Sequence, residues 1–100
     1  MRIVSRGVLV GYWEKHPETE ASLQHWINVA KGTHWATPAE VLASFPKAKV
    51  INADRVWFEV HGGDYRLIVA FFFAAEIAFI KFVGAHAEYD RIDAETVSLF

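Results

Sequence analysis

The stretch from Tyr65 to Asp90 restricts what this chain can fold into more than any other. Tyr65-Arg66-Leu67-Ile68-Val69-Ala70-Phe71-Phe72-Phe73 is one β-branched and aromatic run. Ile77-Ala78-Phe79-Ile80-Lys81-Phe82-Val83 is a second, after a short turn. Two such runs joined by a tight connection read as a β-hairpin. Each carries one cation, Arg66 or Lys81, in otherwise apolar surroundings. The second run then exits into Gly84-Ala85-His86-Ala87-Glu88-Tyr89-Asp90, which gathers an imidazole, a phenol and two carboxylates in one short segment. A sheet needs no such cluster at a strand exit. This end is read as the working end, and the rest of the chain as its support.

The pairing of the sheet follows from turn chemistry. Arg55 to Val60 alternates cleanly, and His61-Gly62-Gly63-Asp64 is a hairpin loop. A turn centred on Gly62-Gly63 pairs Val60 with Tyr65, Glu59 with Arg66, Phe58 with Leu67 and Val56 with Val69. A turn around Ala74-Ala75 pairs Phe72 with Ile77, Val69 with Ile80 and Leu67 with Phe82, which puts Val83 opposite Arg66. One face then holds Val56, Phe58, Leu67, Val69, Phe71, Ile80 and Phe82, a core face that helices must cover. The other holds Arg55, Trp57, Glu59, Arg66, Ile68 and Lys81, with Glu59 and Arg66 as an opposite-charge cross-strand pair. A slip of one residue at either turn would exchange the two faces.

The covering helices lie upstream. Ile3-Val4-Ser5 forms a short first strand, and Gly7 to Glu14 a helix that ends at His16-Pro17. Glu18 to Lys31 is the clearest helix: Leu23, Trp26, Ile27 and Ala30 share one stripe, with acids in its first turn and Lys31 in its last. Thr37-Pro38-Ala39-Glu40 resembles a capping box with Pro at N1 and opens a brief helix through Phe45. Ala48 to Ile51 is a further short strand. The expected architecture is α+β: N-terminal helices packed on one face of an antiparallel sheet of about four strands, with a short C-terminal helix, as one domain over residues 1–100.

Composition excludes several function classes. The chain has no cysteine, hence no disulfide framework and no thiolate site. No apolar run reaches the roughly 18 residues of a membrane span. The start is too quickly followed by Trp13-Glu14-Lys15 for a signal peptide, so a cytoplasmic protein is expected. His16, His25, His34 and His61 are scattered without ligand spacing, so no metal and no other cofactor is expected. A net charge of −2 argues against binding nucleic acid by bulk charge alone.

The cluster itself suits RNA cleavage by the substrate's own 2′-hydroxyl. That reaction needs cations for the developing phosphorane charge, groups to take and give a proton, and an aromatic surface for an unstacked base. Arg66 and Lys81 supply charge, His86 or Tyr89 the proton transfers, and Trp57 or Tyr89 the stacking. A phenol with an ordinary pKa is a poor base unless a cation lowers it, and Lys81 is the nearest candidate in sequence. The bland alternatives are equally concrete. In them Arg66 simply neutralises Glu59, Lys81 snorkels over Phe79, and Glu88 caps a helix.

Three segments together resemble the HigB family of bacterial toxin–antitoxin toxins, within the RelE-like mRNA interferases. They are Lys15-His16-Pro17-Glu18 with Leu23-Gln24-His25-Trp26 and Trp35-Ala36-Thr37-Pro38; Arg55 through Val69; and Ile80 through Ile92. The resemblance implies a RelE-like fold and metal-free endonucleolytic cutting of mRNA on the ribosome. It implies a helix-turn-helix, HigA-like antitoxin as partner, with DNA reached only indirectly through that antitoxin. Carried over by position, it marks Arg66, Lys81, His86 and Tyr89 as catalytic. Arg55, Trp57, Glu88 and Asp90 are expected beside them as RNA contacts, with Glu88 and Asp90 orienting neighbours or capping the last helix. Ala85 stands where a threonine is usual, and Lys81 where arginine is commoner. The competing readings are a catalytically weak or inactive module that binds an antitoxin and contributes to autoregulation, and a metal-dependent nuclease, for which no carboxylate pair at ligand spacing is evident.

Overall fold

The computed structural model describes residues 1–100 as five strands, four α-helices and two 3-10 turns. In chain order these are β1 (Arg2–Val4), α1 (Arg6–Lys15), a 3-10 turn (Pro17–Thr19), α2 (Glu20–Lys31), α3 (Pro38–Ser44), β2 (Lys49–Val50), β3 (Arg55–Val60), β4 (Tyr65–Phe72), a second 3-10 turn (Phe73–Ala75), β5 (Ile77–Ala85) and α4 (His86–Tyr89). One sheet has the order β1-β5-β4-β3-β2. Its pairs are antiparallel except β1, which lies parallel to β5 at the edge. The short first strand therefore adds a fifth member to the expected four. The parallel arrangement arises because α1, α2 and the later strands all intervene before β5, giving the chain length for a crossover.

The first helices follow their sequence patterns with one difference. The helix expected from Glu18 begins only at Glu20, because Pro17–Thr19 form a 3-10 turn. There Thr19 is fully buried, and its hydroxyl donates to the His16 carbonyl at 2.7 Å. A buried hydroxyl so satisfied stabilises the tight turn and delays the α-helix. At α3, Glu40 N–H donates to Thr37 Oγ1 at 3.3 Å, while Glu40 Oε1 accepts from Ala36 N–H at 3.4 Å. The capping box thus closes one residue further back than expected.

Leu9 from α1, Leu23, Trp26, Ile27 and Ala30 from α2, and Val41 from α3 meet Val56, Phe58, Val60, Leu67, Val69, Phe71, Ala78, Ile80 and Val83 of the sheet in one buried cluster. Trp26 meets Phe58 edge-on at 5.5 Å. Each such large side chain contributes about 1.5–3 kcal/mol by leaving water.

The β3–β4 register agrees with the sequence expectation at every pair named, from Val60↔Tyr65 to Val56↔Val69. The loop between them takes left-handed backbone at His61, Gly62 and Gly63 (φ 52°, 66° and 95°), which explains the glycine pair. The β4–β5 register begins as expected, with Phe72↔Ile77 and Val69↔Ile80, and then shifts. A bulge at Lys81 pairs Ile68 with Phe82, Leu67 with Val83 and Arg66 with Gly84. The expected pairs Leu67–Phe82 and Arg66–Val83 are therefore incorrect. One extra residue on β5 reverses its alternation beyond Ile80. Val83 enters the core, whereas Phe82 is buried outside that cluster, on the opposite face with Ile68. The bulge also frees the Lys81 carbonyl, which accepts from Leu99 N–H at 3.0 Å.

Candidate active site

The face of the sheet turned away from the helices carries Trp57, Glu59, Arg66, Ile68, Phe82 and Gly84, by the alternation of β3, β4 and the bulged β5. Gly84 is the neighbour of Arg66 across the ladder, and the Phe82 ring lies over it. A Cβ at Gly84 would sit 2.7 Å from Phe82 Cζ. The missing side chain lets an aromatic floor form beside the guanidinium. Tyr89, from α4, meets both Phe82 (6.4 Å) and Trp57 (6.1 Å) at steep interplanar angles.

Arg66 is held in this aromatic setting. Its guanidinium carbon lies 4.1 Å from the Trp57 ring centroid and 5.7 Å from that of Tyr89. Only 12% of its side chain is exposed, and the nearest carboxylate oxygen, on Glu59, is 3.7 Å from Nη1. That is an ion pair but too long for a hydrogen bond. Nε and Nη1 are buried and donate to nothing. A guanidinium is a fork of donors matched to carboxylate or phosphate, and buried unpaired donors are costly. The residue therefore has charge balanced only loosely and donors still to satisfy.

The Tyr89 phenol is not a base at neutral pH. Burial pushes its pKa up, Arg66 pulls against that, and Asp90 adds to the rise. The cation facing it is Arg66, not the Lys81 expected from sequence, and its pull is outweighed. Tyr89 thus keeps its proton, which suits donation or stacking.

α4 starts at the end of β5, where His86 N–H donates to the Asp64 carbonyl at 3.0 Å. Glu88 Oε1 accepts from Ala85 N–H at 3.1 Å, one half of a capping box; Ala85 has no hydroxyl to supply the other. His86 Nδ1 lies 3.1 Å from Asp90 Oδ2, both half-exposed. The two side chains are one helical turn apart, at i and i+4, close enough for charge pairing but not hydrogen-bonded. Glu88 thus caps the helix, and Asp90 lies beside the His86 ring.

Two of the expected site residues are engaged elsewhere. Arg55 Nη1 donates to the carbonyls of Ala94 (3.1 Å) and Val97 (2.7 Å). Lys81 Nζ lies 5.6 Å from the Phe79 centroid and donates to Ser98 Oγ at 3.3 Å. The C-terminal segment thus straps the far half of this face. From the bulge to Gly84 is roughly 10 Å along the strand, at about 3.3 Å per residue. The structure brings together Arg66, Trp57 and Tyr89, with Glu88 and the His86–Asp90 pair on the adjoining helix. Arg55 and Lys81 lie apart, under the tail.

Phe82, Gly84 and the tail are missing from the sequence-based site. A lone glycine two residues after a phenylalanine in an otherwise bulky strand was the available signal, since strand glycines mark close approach of another group. No three His, Asp or Glu side chains gather in a way that would hold a metal ion. No helix is long and apolar enough to cross a membrane. The largest cavity, about 360 Å³ between Ser22, His25, Phe45, Lys47 and His61, is lined by neither Arg66 nor Tyr89.

Residues 19–92 match the family described as HigB toxin, RelE-like toxic component of a toxin–antitoxin system. The protein named mRNA interferase HigB of Escherichia coli O6:H1 is 29% identical over 94 residues, covering 92% of this chain and 91% of its own.

Proposed function

The chain belongs to the HigB toxin family, the RelE-like toxic components of toxin–antitoxin systems, and from that premise we propose that it is a cytoplasmic endoribonuclease that cuts mRNA on the ribosome without a metal. The observation that carries the reading is the guanidinium of Arg66, desolvated between Trp57 and Tyr89 with two donors unpaired. A phosphodiester supplies what that group lacks: a negative charge and oxygens for the fork. Charge grows on those oxygens as the 2′-oxygen attacks, so the interaction strengthens in the transition state.

The proton transfers fall to α4. His86, with Asp90 at Nδ1, offers Nε2 to the 2′-hydroxyl as general base. Tyr89, held protonated by burial, donates to the leaving 5′-oxygen. The bond from phosphorus to the 2′-oxygen forms and that to the 5′-oxygen breaks. The products are a 2′,3′-cyclic phosphate and a 5′-hydroxyl. Trp57 is the stacking surface nearest the cut. The partner is a HigA-like helix-turn-helix antitoxin, through which alone the chain would reach DNA.

One observation favours the second reading, a weak or inactive module that serves to bind its antitoxin: Lys81 and Arg55 are tied to the tail, so a single free arginine remains at the centre. End-group analysis separates the two. Purified chain incubated with ribosome-bound mRNA in EDTA should yield 2′,3′-cyclic and 5′-hydroxyl ends. Absence of cleavage with intact antitoxin binding would favour the module. Loss of activity in EDTA, restored by a divalent ion, would point to a metal-dependent nuclease.

A further inference from the structure

A second side-chain cluster sits at the same end of the sheet, around the start of β4. The Tyr12 ring stacks on His16 at 4.3 Å. Tyr65 meets Tyr12 edge-on at 6.0 Å, His16 at 5.8 Å and His61 at 6.3 Å. The Tyr65 hydroxyl donates to Glu18 Oε2, and Glu18 is exposed. The Tyr12 hydroxyl is buried and has no hydrogen-bond partner. None of this is used by the chemistry around Arg66.

The cluster adjoins that chemistry through α4. Tyr65 pairs with Ala85, the residue before α4, as Arg66 pairs with Gly84. The Glu88 carboxyl carbon lies 3.4 Å from where a Gly84 Cβ would be. Glu88 is also near enough to Tyr12 to help burial push that phenol up to about 12. Tyr65 and Arg66 are consecutive and so point to opposite faces of the sheet; the two clusters meet around the end of β4, where Glu88 of α4 lies between them.

Their chemistry differs. Arg66 is a permanent cation, suited to phosphate. Tyr12, His16, Glu18 and Tyr65 include no permanent cation. They offer rings and an acceptor-only carboxylate, whose acid form is disfavoured by the Tyr65 hydrogen bond. Rings hold an unstacked base, and a carboxylate accepts from an exocyclic amino group. With Oε2 taken by Tyr65, Oε1 of Glu18 remains for a ligand.

Resting on the reading of the chain as an RNA-cutting enzyme, we propose that Tyr12, His16, Glu18 and Tyr65 form a nucleobase subsite beside the cut that favours bases bearing an amino group over uracil. Tyr65 is the positioning residue: its hydroxyl fixes the Glu18 carboxylate. The Tyr12 hydroxyl is buried behind the rings, so Tyr12 contributes its ring and not its hydroxyl.

The test is the cleavage profile of purified wild-type, Glu18→Gln and Tyr65→Phe chains on ribosome-bound mRNA of randomised sequence. Glu18 is exposed, so Glu18→Gln should melt at the wild-type temperature. An amide presents a donor as well as an acceptor. Glu18→Gln should therefore lower cutting beside adenine, cytosine or guanine relative to uracil by roughly tenfold, the worth of one charge-assisted hydrogen bond. Tyr65→Phe should weaken the same preference without creating a new one. Unchanged profiles in both variants, with the wild type cutting normally, would overturn the subsite alone. An unchanged profile with lost antitoxin neutralisation would assign the cluster to the protein partner instead. Absence of cutting by the wild type would overturn the subsite together with the function on which it rests.

Discussion

The Arg66 guanidinium lies 4.1 Å above the Trp57 ring, and two of its buried donors have no acceptor. Trp57 reaches that place because it sits two residues before Glu59, the cross-strand partner of Arg66, so all three share a face. The ring takes the place of water around the cation and holds it where a phosphate can reach it. Replacing it by an aliphatic side chain should remove a cation–π contact of about 0.5–2 kcal/mol and let the guanidinium swing towards Glu59. Trp57→Leu is expected to fold and to slow single-turnover cleavage about tenfold or more. Wild-type rates would show that Arg66 needs no such support.

Tyr12 sets the behaviour in alkali. Its phenol is pushed up to about 12 by burial, with Glu88, Tyr65 and Glu18 adding to the rise. An unfolded tyrosine ionises near 10. Between those values the native chain holds a proton that the unfolded chain has lost, so stability is complete below about pH 10 and falls as pH rises towards 12. Tyr12→Phe should flatten that part of the curve, with the slope from Tyr65 and Tyr89 remaining. At neutral pH it should be as stable as wild type or more so, because the deleted hydroxyl is buried without a partner. Urea titrations at pH 7 and across the alkaline range measure both effects. A clear loss at pH 7 would mean that the hydroxyl has a partner in solution.

Ala85 leaves α4 half-capped. Its backbone is extended (φ −68°, ψ 157°), the geometry of a good N-cap, and Glu88 already reaches back to its N–H. Ala85→Thr supplies the missing oxygen for the Glu88 N–H. The expected gain is about 1 kcal/mol, or roughly 4–8 °C in Tm for a domain this small. A lower Tm would mean that the threonine side chain does not fit against the sheet end.

Arg55 is expected to act on the tail. Its two hydrogen bonds to Ala94 and Val97 anchor the segment that also bonds to the Lys81 bulge through Leu99. Arg55→Ala should speed hydrogen exchange of the Leu99 amide by about tenfold or more, with core amides of β4 unaffected. Unchanged exchange would mean that the bulge alone holds the tail.

Much of this arrangement is legible in the sequence. Alternation in Arg55–Val60 and the Gly62-Gly63 turn fix the first hairpin, because a slip would bury Glu59 and expose Phe58. The helix stripe of Leu23, Trp26, Ile27 and Ala30 is as plain, and all four are buried. What escapes is the bulge. Ile80-Lys81-Phe82-Val83 is apolar on both sides of the lysine, so either register buries a large residue on each face, and periodicity cannot choose. Half of the site follows from that choice. Arg66, Trp57 and Glu59 come from the first hairpin, and their shared face is legible. Phe82, Gly84 and the place of Lys81 depend on the bulge and are not. The tail carries no periodic signal, so its hold on Arg55 is visible only in three dimensions.

The most direct measurement is cleavage of ribosome-bound mRNA by Arg66→Ala, alongside a thermal melt and expression without an antitoxin. Arg66 is the one cation of the site that is neither strapped by the tail nor hydrogen-bonded to a carboxylate. Removing charge stabilisation of a transition state costs roughly 10²–10³-fold in rate. The account predicts a folded variant whose cleavage falls at least about 100-fold and whose expression no longer arrests growth. A folded Arg66→Ala chain that cuts mRNA and stops growth as the wild type does would contradict it.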